Sequence, residues 1–360
     1  MILQTVQTIS NRLPKGSSAW INFGLSHLSK TWSVNRIKAK LVRIQEESPD
    51  VKSFYLEPNG LWKGFLPGQH VNVSLKINGR FQTRTFSFSS HPNEKLLRIT
   101  IKKIPGGLVT DHIHTHSKRG DIWELGEASG DFVISENWEN EKILFISGGS
   151  GITPILSQLK ELSRQNSNSQ ITLLYFSKTE KDILFKNELN LLTHTLRNFQ
   201  VVHFLSEEDN PKYNFGIFEE SILNYHVPDF KEHSTFFCGP EPLKRIVFNI
   251  YSRENLETKI LSENFGLFNQ KEEDVAELQK VKLLFRAREE EIGSQNILDS
   301  LLDKGVSLQH GCKAGICNTC ACMKAKGRVK NLITGKISDD SREKIKLCVS
   351  VAMTEIHLEV

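Results

Sequence analysis

At 360 residues the chain is too long for one small core, so two or three domains are expected. Its hydrophobic content of 38% and charged content of 24% describe a globular protein rather than a disordered one, and a net charge of +4 is too small to point to nucleic acid. No apolar run approaches the roughly 18 residues of a membrane span, and the opening MILQTVQTISNRL lacks the charged lead-in and apolar block of a cleaved signal peptide.

Residues 1–35 read as a leader. Trp20, Ile21, Gly24, Leu25, Leu28 and Trp32 fall on one helical face. Such a face either packs on the protein's own barrel or makes a peripheral contact with a membrane or partner. Residues 36–138 carry the texture of an antiparallel β-barrel of about six strands. Leu97, Ile99 and Ile101 alternate with Arg98, Thr100 and Lys102, the period of a half-buried strand. Asn78-Gly79, between VNVSLKI and RFQTRTFSF, is a hairpin turn that needs positive φ twice. On the second of these strands RTFSFSS places Arg84 beside an aromatic ring and hydroxyls, a set able to clamp a phosphate while the ring lies on a planar cofactor. PGGLVTDH (Pro105–His112) then puts a glycine pair before a helix start, whose N–H groups suit a second phosphate. Two phosphate contacts suggest FAD rather than FMN. His112, His114 and His116 belong to that helix start and are not read as a metal site.

Residues 139–265 change texture. KILFISGG is a continuous apolar run, as in a strand buried on both faces, and Thr153-Pro154 supplies a cap and a first-turn proline. Ile155, Leu156, Leu159 and Leu162 follow at helical spacing. QITLLYFS, a helix through DILFKNELNLL, FQVVHFLS and STFFCGPEPLKRIVFNIY repeat the cycle, which predicts a parallel sheet in a doubly wound α/β domain. Its ligands bind at the carboxyl ends of the strands. SGGSGITP (Ser147–Pro154) is a strand–glycine turn–helix unit, though not G-x-G-x-x-G, and offers helix N–H groups to a diphosphate. Ser177 and Lys178 stand where an adenosine ribose would lie. A base there accommodates a 2′-phosphate, which leans toward NADPH, with NADH the alternative because Glu180 and Asp182 are close. Cys238, in FCGPEP, is either a small buried residue or part of a nicotinamide pocket.

Residues 266–280 are polar and charged, a linker. The last domain, 281–360, opens with the alternating strand VKLLFRA, then a helix capped by Ser294 with Ile297, Leu298, Leu301 and Leu302 inward. Cys312, Cys317 and Cys320 follow with C-x4-C-x2-C spacing, and Cys348 comes later. This is plant-type [2Fe–2S] spacing, whereas zinc sites favour paired C-x2–4-C, of which one is present. Gly311, Ala314 and Gly315 keep bulk out of a loop whose N–H groups must point inward. Cys322 reads as a small strand residue rather than a ligand. Cysteines gathered in one late cluster indicate a reducing compartment, hence the cytoplasm, with association at the inner membrane face open through the leader. The basic run Lys324–Lys336 reads as a solvated face or as a surface that steers an acidic partner.

Together these motifs resemble the ferredoxin–NADP reductase superfamily. Arg84-Thr85-Phe86-Ser87 resembles its R-x-Y-[ST] flavin motif, Gly148–Pro154 its nucleotide loop, and Cys238-Gly239-Pro240 its C-G-P motif. The last domain is similar to plant-type ferredoxins, an α+β, β-grasp fold. The resemblance implies that Arg84 holds the FAD pyrophosphate, helped by Gly107, Leu108, Val109 and Thr110, and that Ser87 lies near the flavin atom that receives hydride. Phe86 takes the usual tyrosine position, keeping the stacking and losing the hydroxyl. Gly148, Gly149 and Gly151 would bind the nucleotide, Thr153 and Cys238 would border the nicotinamide, and Cys312, Cys317, Cys320 and Cys348 would hold the cluster. Ser87 and Cys238 are thus the candidate catalytic residues. The order flavin, nicotinamide, iron–sulfur is that of one-component reductases serving oxygenases. The leader and the HGCKAGICNTCACMKAKGRVKNLITG segment look most like those proposed to feed membrane fatty-acid desaturases. The expected function is therefore NAD(P)H-dependent reduction of FAD and the cluster, with single electrons passed to a terminal oxygenase or desaturase. Alternatives are a ring-hydroxylating, alkane or side-chain oxygenase as acceptor, or a redox-sensing iron–sulfur protein without turnover.

Overall fold

Asn78 and Gly79 both hold positive φ, 50° and 78°, and join the strands His70–Ile77 and Arg80–Ser87 in register, as an Asn-Gly turn requires. The computed structural model describes residues 22, 29–134, 140–263, 281–285, 288–293, 295–306, 308, 315, 319–332 and 335–359. It comprises two units, Met1–Phe265 and Gly266–Val360.

In the first unit β1 (Ile37–Ser48), β2 (Val51–Pro58), β3 (His70–Ile77), β4 (Arg80–Ser87), β5 (Leu97–Lys102) and β6 (Ile122–Leu125) form one antiparallel sheet in the order β4-β3-β6-β1-β2-β5. A bridge between Phe88 and Ile99 and the Ser89 N–H to Arg98 carbonyl bond (2.9 Å) join its two ends into a barrel. Leu41, Phe54, Val71, Val73, Ile99 and Trp123 fill the interior, each side chain losing nearly all contact with water. Helix α1 (Leu108–His116) lies between β5 and β6, and His114 and His116 occupy its last turn rather than its start.

The alternation on β5 marks a strand but misjudges its polar face. Arg98 and Thr100 are buried as deeply as their apolar neighbours. Thr100 shares hydroxyl bonds with Ser53 and Ser89, both 2.8 Å. Arg98 reaches the α/β half of the unit, where its guanidinium meets both oxygens of Glu188 at 2.5 and 3.1 Å. A buried guanidinium stays charged, so this bidentate pair ties the halves together, and removing one partner should cost about 3–5 kcal/mol.

The α/β half contains β7 (Lys142–Gly148), α2 (Ile152–Arg164), β8 (Gln170–Ser177), α3 (Lys186–Thr195), β9 (Phe199–Leu205), β10 (Asn214–Phe215), α4 (Glu220–His226), β11 (Ser234–Cys238), α5 (Glu241–Arg253) and β12 (Ile260–Glu263). All pairs are parallel, in the order β10-β9-β8-β7-β11-β12. KILFISG is apolar throughout because Ile143 and Phe145 enter one core while Leu144 and Ile146 enter the other. The chain runs outward from β7 to β10, then returns to lay β11 on the opposite side of β7. The crevice between β7 and β11 is thus the topological switch point. Two helix starts differ from the sequence reading. Gly151, not Thr153, is the N-cap of α2, and the Thr153 hydroxyl donates to the Ser150 carbonyl at 3.0 Å. Helix α3 begins at Lys186 because Phe185 adopts φ +57°, which no helix can pass through.

Three further bonds tie the halves: Ser157 to the Ser90 carbonyl (2.8 Å), Gln158 to the Phe132 carbonyl (2.7 Å), and His91 to Glu161. Burial acts to raise the Glu161 carboxyl, but hydrogen bonds from Arg164, His91 and Gln165 outweigh it and bring it down to about 2. A carboxyl depressed on folding stabilises the native state fully above its ordinary value near 4.5, and that contribution disappears as pH falls toward 2. Glu161→Gln should therefore cost about 1 kcal/mol at pH 7. In denaturation midpoints measured from pH 7 to 2.5, the gap from wild type should narrow below pH 4.5. A constant gap would contradict this.

In the second unit β13 (Val281–Phe285), β14 (Arg288–Ile292), β15 (Ala321–Lys326), β17 (Glu343–Lys346) and β19 (Ile356–Glu359) form a sheet in the order β14-β13-β19-β15-β17. Strands β16 (Val329–Asn331) and β18 (Ser350–Ala352) pair separately. Strands β13 and β19 run parallel, and helix α6 (Ile297–Asp303) shares their core through Leu298 and Leu301, the β-grasp arrangement. Asn296 caps α6, accepting from the Asp299 N–H at 2.9 Å, while Ser294, named for that role from the sequence, lies outside the described residues. So do the 266–280 linker and the helical-face positions Trp20, Ile21, Gly24, Leu25 and Leu28 of the leader, whereas Trp32 is described and half-buried. Among the described residues no helix is long and apolar enough to cross a membrane.

Candidate active site

Strand β4 delivers Ser87 to the carboxyl end of the parallel sheet. Ser87 pairs with His70 on β3, so both side chains share one face, and both bond to Glu263 at the end of β12. The Ser87 hydroxyl donates to Glu263 Oε2 at 2.9 Å, and His70 Nδ1 meets Oε1 at 2.6 Å. All three residues are buried. An ionised carboxylate only accepts, so Nδ1 directs a hydrogen at Oε1, while Nε2 lies 3.2 Å from the Ser129 hydroxyl. With its hydrogen committed to Glu263, Ser87 presents oxygen lone pairs to whatever lies beside it.

Glu263 stands beside Cys238, its register partner on β11. Cys238 is fully buried, and that burial, reinforced by the charge of Glu263, pushes its thiol well above the ordinary range. It is therefore a neutral, unreactive thiol, which favours its service as a compact wall over nucleophilic chemistry. The glycine turn closes on it. A Cβ on Gly151 would lie 2.0 Å from the Cys238 carbonyl oxygen, and one on Gly148 would lie 2.6 Å from Pro240 Cδ. These glycines let the turns after β7 and β11 touch. Gly149 differs: it has φ +52°, open space at its Cβ position, and a carbonyl that accepts from Tyr175 at 3.1 Å. Gly239 and Pro240 complete the second turn and lead into α5. Cys238, Gly148, Gly151 and buried Thr153 thus lie at the switch point, and Ser87 reaches the same end of the sheet through Glu263.

The flavin-motif residues lie along β4 and at the start of α1. Arg84 is half-buried, donates to the Thr83 carbonyl at 2.8 Å, and pairs with no carboxylate among the described residues. That leaves guanidinium N–H groups for a phosphate, as FAD binding requires. Thr85 donates to Asn72 at 2.8 Å, and Phe86 packs partly against the barrel core. Gly107 is the N-cap of α1, which no side chain caps, so the backbone N–H groups of its first turn suit an anion. Val109 is buried, and the Thr110 hydroxyl accepts from the Ile104 N–H at 3.1 Å, which leaves its own hydrogen free to donate. Leu108 is exposed.

Ser177 and Lys178 lie apart, at the end of β8. Lys178 Nζ is paired with Glu207 at 2.6 Å. Glu180 accepts from Lys186 at 2.7 Å, its N–H donates to Glu208, and Asp182 accepts from Thr179. Four carboxylates therefore face three ammonium groups (Lys178, Lys181 and Lys186) along this edge.

In the second unit Cys320 and Cys348 are buried in one core. The β15–β17 register pairs Ala321 with Lys346, and the Leu347 N–H donates to the Cys320 carbonyl at 3.2 Å. The Gly315 N–H points at Cys348 Sγ, 3.3 Å away. Two buried cysteines brought together by one ladder, with an amide aimed at a sulfur, fit a [2Fe–2S] cluster. Cys312 and Cys317 lie outside the described residues. Cys322 is on β15. Lys324 is no part of a solvated face: it is fully buried, and its ammonium donates to the carbonyls of Gly327, Asp339 and Ser341 at 2.6, 2.7 and 2.7 Å. Three acceptors satisfy its three hydrogens, which is the condition for burying an ammonium.

Glu263, His70, Tyr175 and Glu207 escaped the sequence reading. Glu263 ends a four-residue strand next to the linker, and no local pattern separates it from forty-one other acids.

Three family models match the chain in succession: an oxidoreductase FAD-binding domain over residues 38–134, an oxidoreductase NAD-binding domain over 145–248, and a 2Fe-2S iron-sulfur cluster binding domain over 286–353. The chain is 26% identical to an NADPH oxidoreductase of Mycobacterium tuberculosis over 91% of its own length and 86% of the relative's. It is also 26% identical to the glycine betaine monooxygenase reductase subunit of Chromohalobacter salexigens, over 94% and 99% of the two chains. Among solved structures it shares the fold of phthalate dioxygenase reductase, with TM-score 0.59, 22% identity, and 91% and 98% coverage. With FAD-binding, NAD-binding and [2Fe–2S] domains following one another on a single polypeptide, the chain belongs to the ferredoxin–NADP reductase superfamily and is an NAD(P)H-dependent oxidoreductase.

Proposed function

We propose that this chain is the reductase component of an oxygenase system, drawing hydride from NADH and releasing electrons one at a time from its iron–sulfur domain. The observation that carries this reading is the junction at the carboxyl end of the parallel sheet, where Ser87 from the barrel bonds to Glu263, whose register partner is Cys238. Arg84 and the first turn of α1 would hold the FAD pyrophosphate, and the turn at Gly148–Gly151 with Thr153 would receive the nicotinamide nucleotide. Cys312, Cys317, Cys320 and Cys348 would hold the cluster. When bound, FAD accepts a hydride and the cluster carries single electrons. The protein's part is orientation: Glu263 fixes the Ser87 hydroxyl as an acceptor, and the closely packed glycine turns shape the nicotinamide wall. A membrane fatty-acid desaturase is the finer assignment of the acceptor, supported by the leader and the sequence around the cysteines.

The preference for NADH rests on Lys178. Its partner Glu207, with Glu180, Asp182 and Glu208 nearby, leaves that edge net acidic, which opposes a 2′-phosphate. Steady-state kcat/KM should favour NADH over NADPH by about tenfold, and Glu207→Ala should narrow the ratio mainly through KM for NADPH. A wild-type preference for NADPH would refute this. For the acceptor, the purified protein should be yellow-brown, bleach with NADH, and support turnover of a reconstituted membrane desaturase. Turnover only with a ring-hydroxylating oxygenase would move the assignment there, and colourless zinc-containing protein would sink the whole reading.

A further inference from the structure

Gly315 lies between the first and second cysteines of the C-x4-C-x2-C spacing, and both of its backbone groups are tied to one short segment. Its N–H donates to Cys348 Sγ at 3.3 Å, and its carbonyl accepts from Lys346 Nζ at 2.5 Å. Lys346 is two residues before Cys348, at the end of β17, so lysine, glycine and cysteine close a small ring. Gly315 is buried and holds φ +72°. Glycine is the residue least able to hold its own N–H in one direction, because it crosses φ/ψ space with little penalty. Here that direction matters, since an N–H aimed at a cluster sulfur is one of the protein's levers on reduction potential. The far end of the segment is anchored as well: Ser350 Oγ donates to the Lys346 carbonyl at 2.9 Å, and the Leu347 N–H reaches Cys320.

We propose that Lys346 is a positioning residue for the iron–sulfur centre, clamping Gly315 so that its N–H stays on the Cys348 sulfur and sets the potential at which the cluster accepts an electron. The proposal rests on Cys348 being a ligand. One-electron reduction places charge on the sulfurs, which strengthens an N–H···S bond and favours the reduced form. The nearby ammonium acts in the same direction. Loss of the clamp therefore makes the cluster harder to reduce.

The test is a redox titration of the full chain, followed by the EPR signal of the reduced cluster, on wild type, Lys346→Met and Lys346→Arg. Methionine keeps length and apolar bulk but has no donor and no charge. Arginine keeps both. For Lys346→Met the one-electron reduction constant should fall about tenfold, a shift of ~59 mV to more negative potential. Lys346→Arg should recover most of that. A purely structural role for Lys346 predicts lower cluster occupancy in Lys346→Met, with the loaded fraction titrating at the wild-type potential, and that result overturns the proposal. If Lys346→Met loads no cluster, Lys346→Arg decides: wild-type potential supports the clamp, and a shift equal to full loss of the donor overturns it. Absence of any [2Fe–2S] signal from wild type overturns the underlying cluster reading, and is distinguishable because it precedes any comparison of variants.

Discussion

Cys348→Ser should abolish single-electron output while leaving hydride oxidation in place. Cys348 is buried in the same core as Cys320, and the Leu347 N–H to Cys320 carbonyl bond continues the β15–β17 ladder between them. A serine hydroxyl is a harder and far less acidic donor than a thiolate, so it is a poor ligand for an iron–sulfur centre. NADH-driven reduction of ferricyanide, which can draw electrons directly from the first unit, should stay within about twofold. Reduction of cytochrome c or of a partner oxygenase should fall by more than about 100-fold, beyond the cost of losing an outer-shell partner. An undiminished [2Fe–2S] signal in the variant would remove Cys348 from the ligand set. The substitution is nearly isosteric, so the β-grasp core should persist, and circular dichroism would check that.

Glu263→Gln is expected to slow hydride uptake by about 10²-fold, the lower range for loss of a positioned hydrogen-bonding group at a reacting centre. The wild-type carboxylate only accepts, which forces the Ser87 hydrogen toward it and leaves the serine lone pairs outward. Glutamine introduces an N–H2 group. If it faces Ser87 the hydroxyl reverses, and if it faces His70 it opposes the Nδ1 hydrogen. The first orientation loses Ser87 as an acceptor, and the second forces His70 to give up its Nδ1 hydrogen, so in either case the wild-type three-residue arrangement is lost. Stopped-flow bleaching of the flavin by saturating NADH reads this step alone, while FAD content reads folding. Ser87→Ala should be comparably slow, and the double variant should add little, because the two residues act as one unit. A Glu263→Gln variant with wild-type bleaching would reduce Glu263 to a packing role.

Much of this architecture was legible locally. Asn78-Gly79 carries its own turn geometry, and KILFISGG declares a strand buried on both faces because a run this short, ended by glycines, suits a strand better than a buried helix. The cysteine spacing likewise names its chemistry, since ligand spacing is covalent information. Polar residues were less legible. Arg98 looked like the wet face of a strand, and Lys324 like part of a basic surface, yet both are buried. Their burial is possible because Glu188 pairs with Arg98, while three loop carbonyls take the hydrogens of Lys324 and Glu343 stands 3.4 Å from its ammonium. Apart from Gly327, three residues from Lys324, these partners are 15 to 90 residues away in sequence, beyond any local pattern.

The sequence by itself determined the three kinds of domain, their order, and the residues that match flavin, nucleotide and cluster motifs, because periodicity, turn chemistry and ligand spacing are properties of neighbouring residues. Only the tertiary structure decided how those residues are set to work. It placed Glu263, 176 residues after Ser87, within 2.9 Å of its hydroxyl. It gave Lys178 an acidic partner, and it set Lys346 and Gly315 in a ring with Cys348. The physical reason is common to all three. A hydrogen bond or an ion pair depends on distance and direction to within an ångström, and strand register in the folded sheet supplies those where spacing along the chain does not.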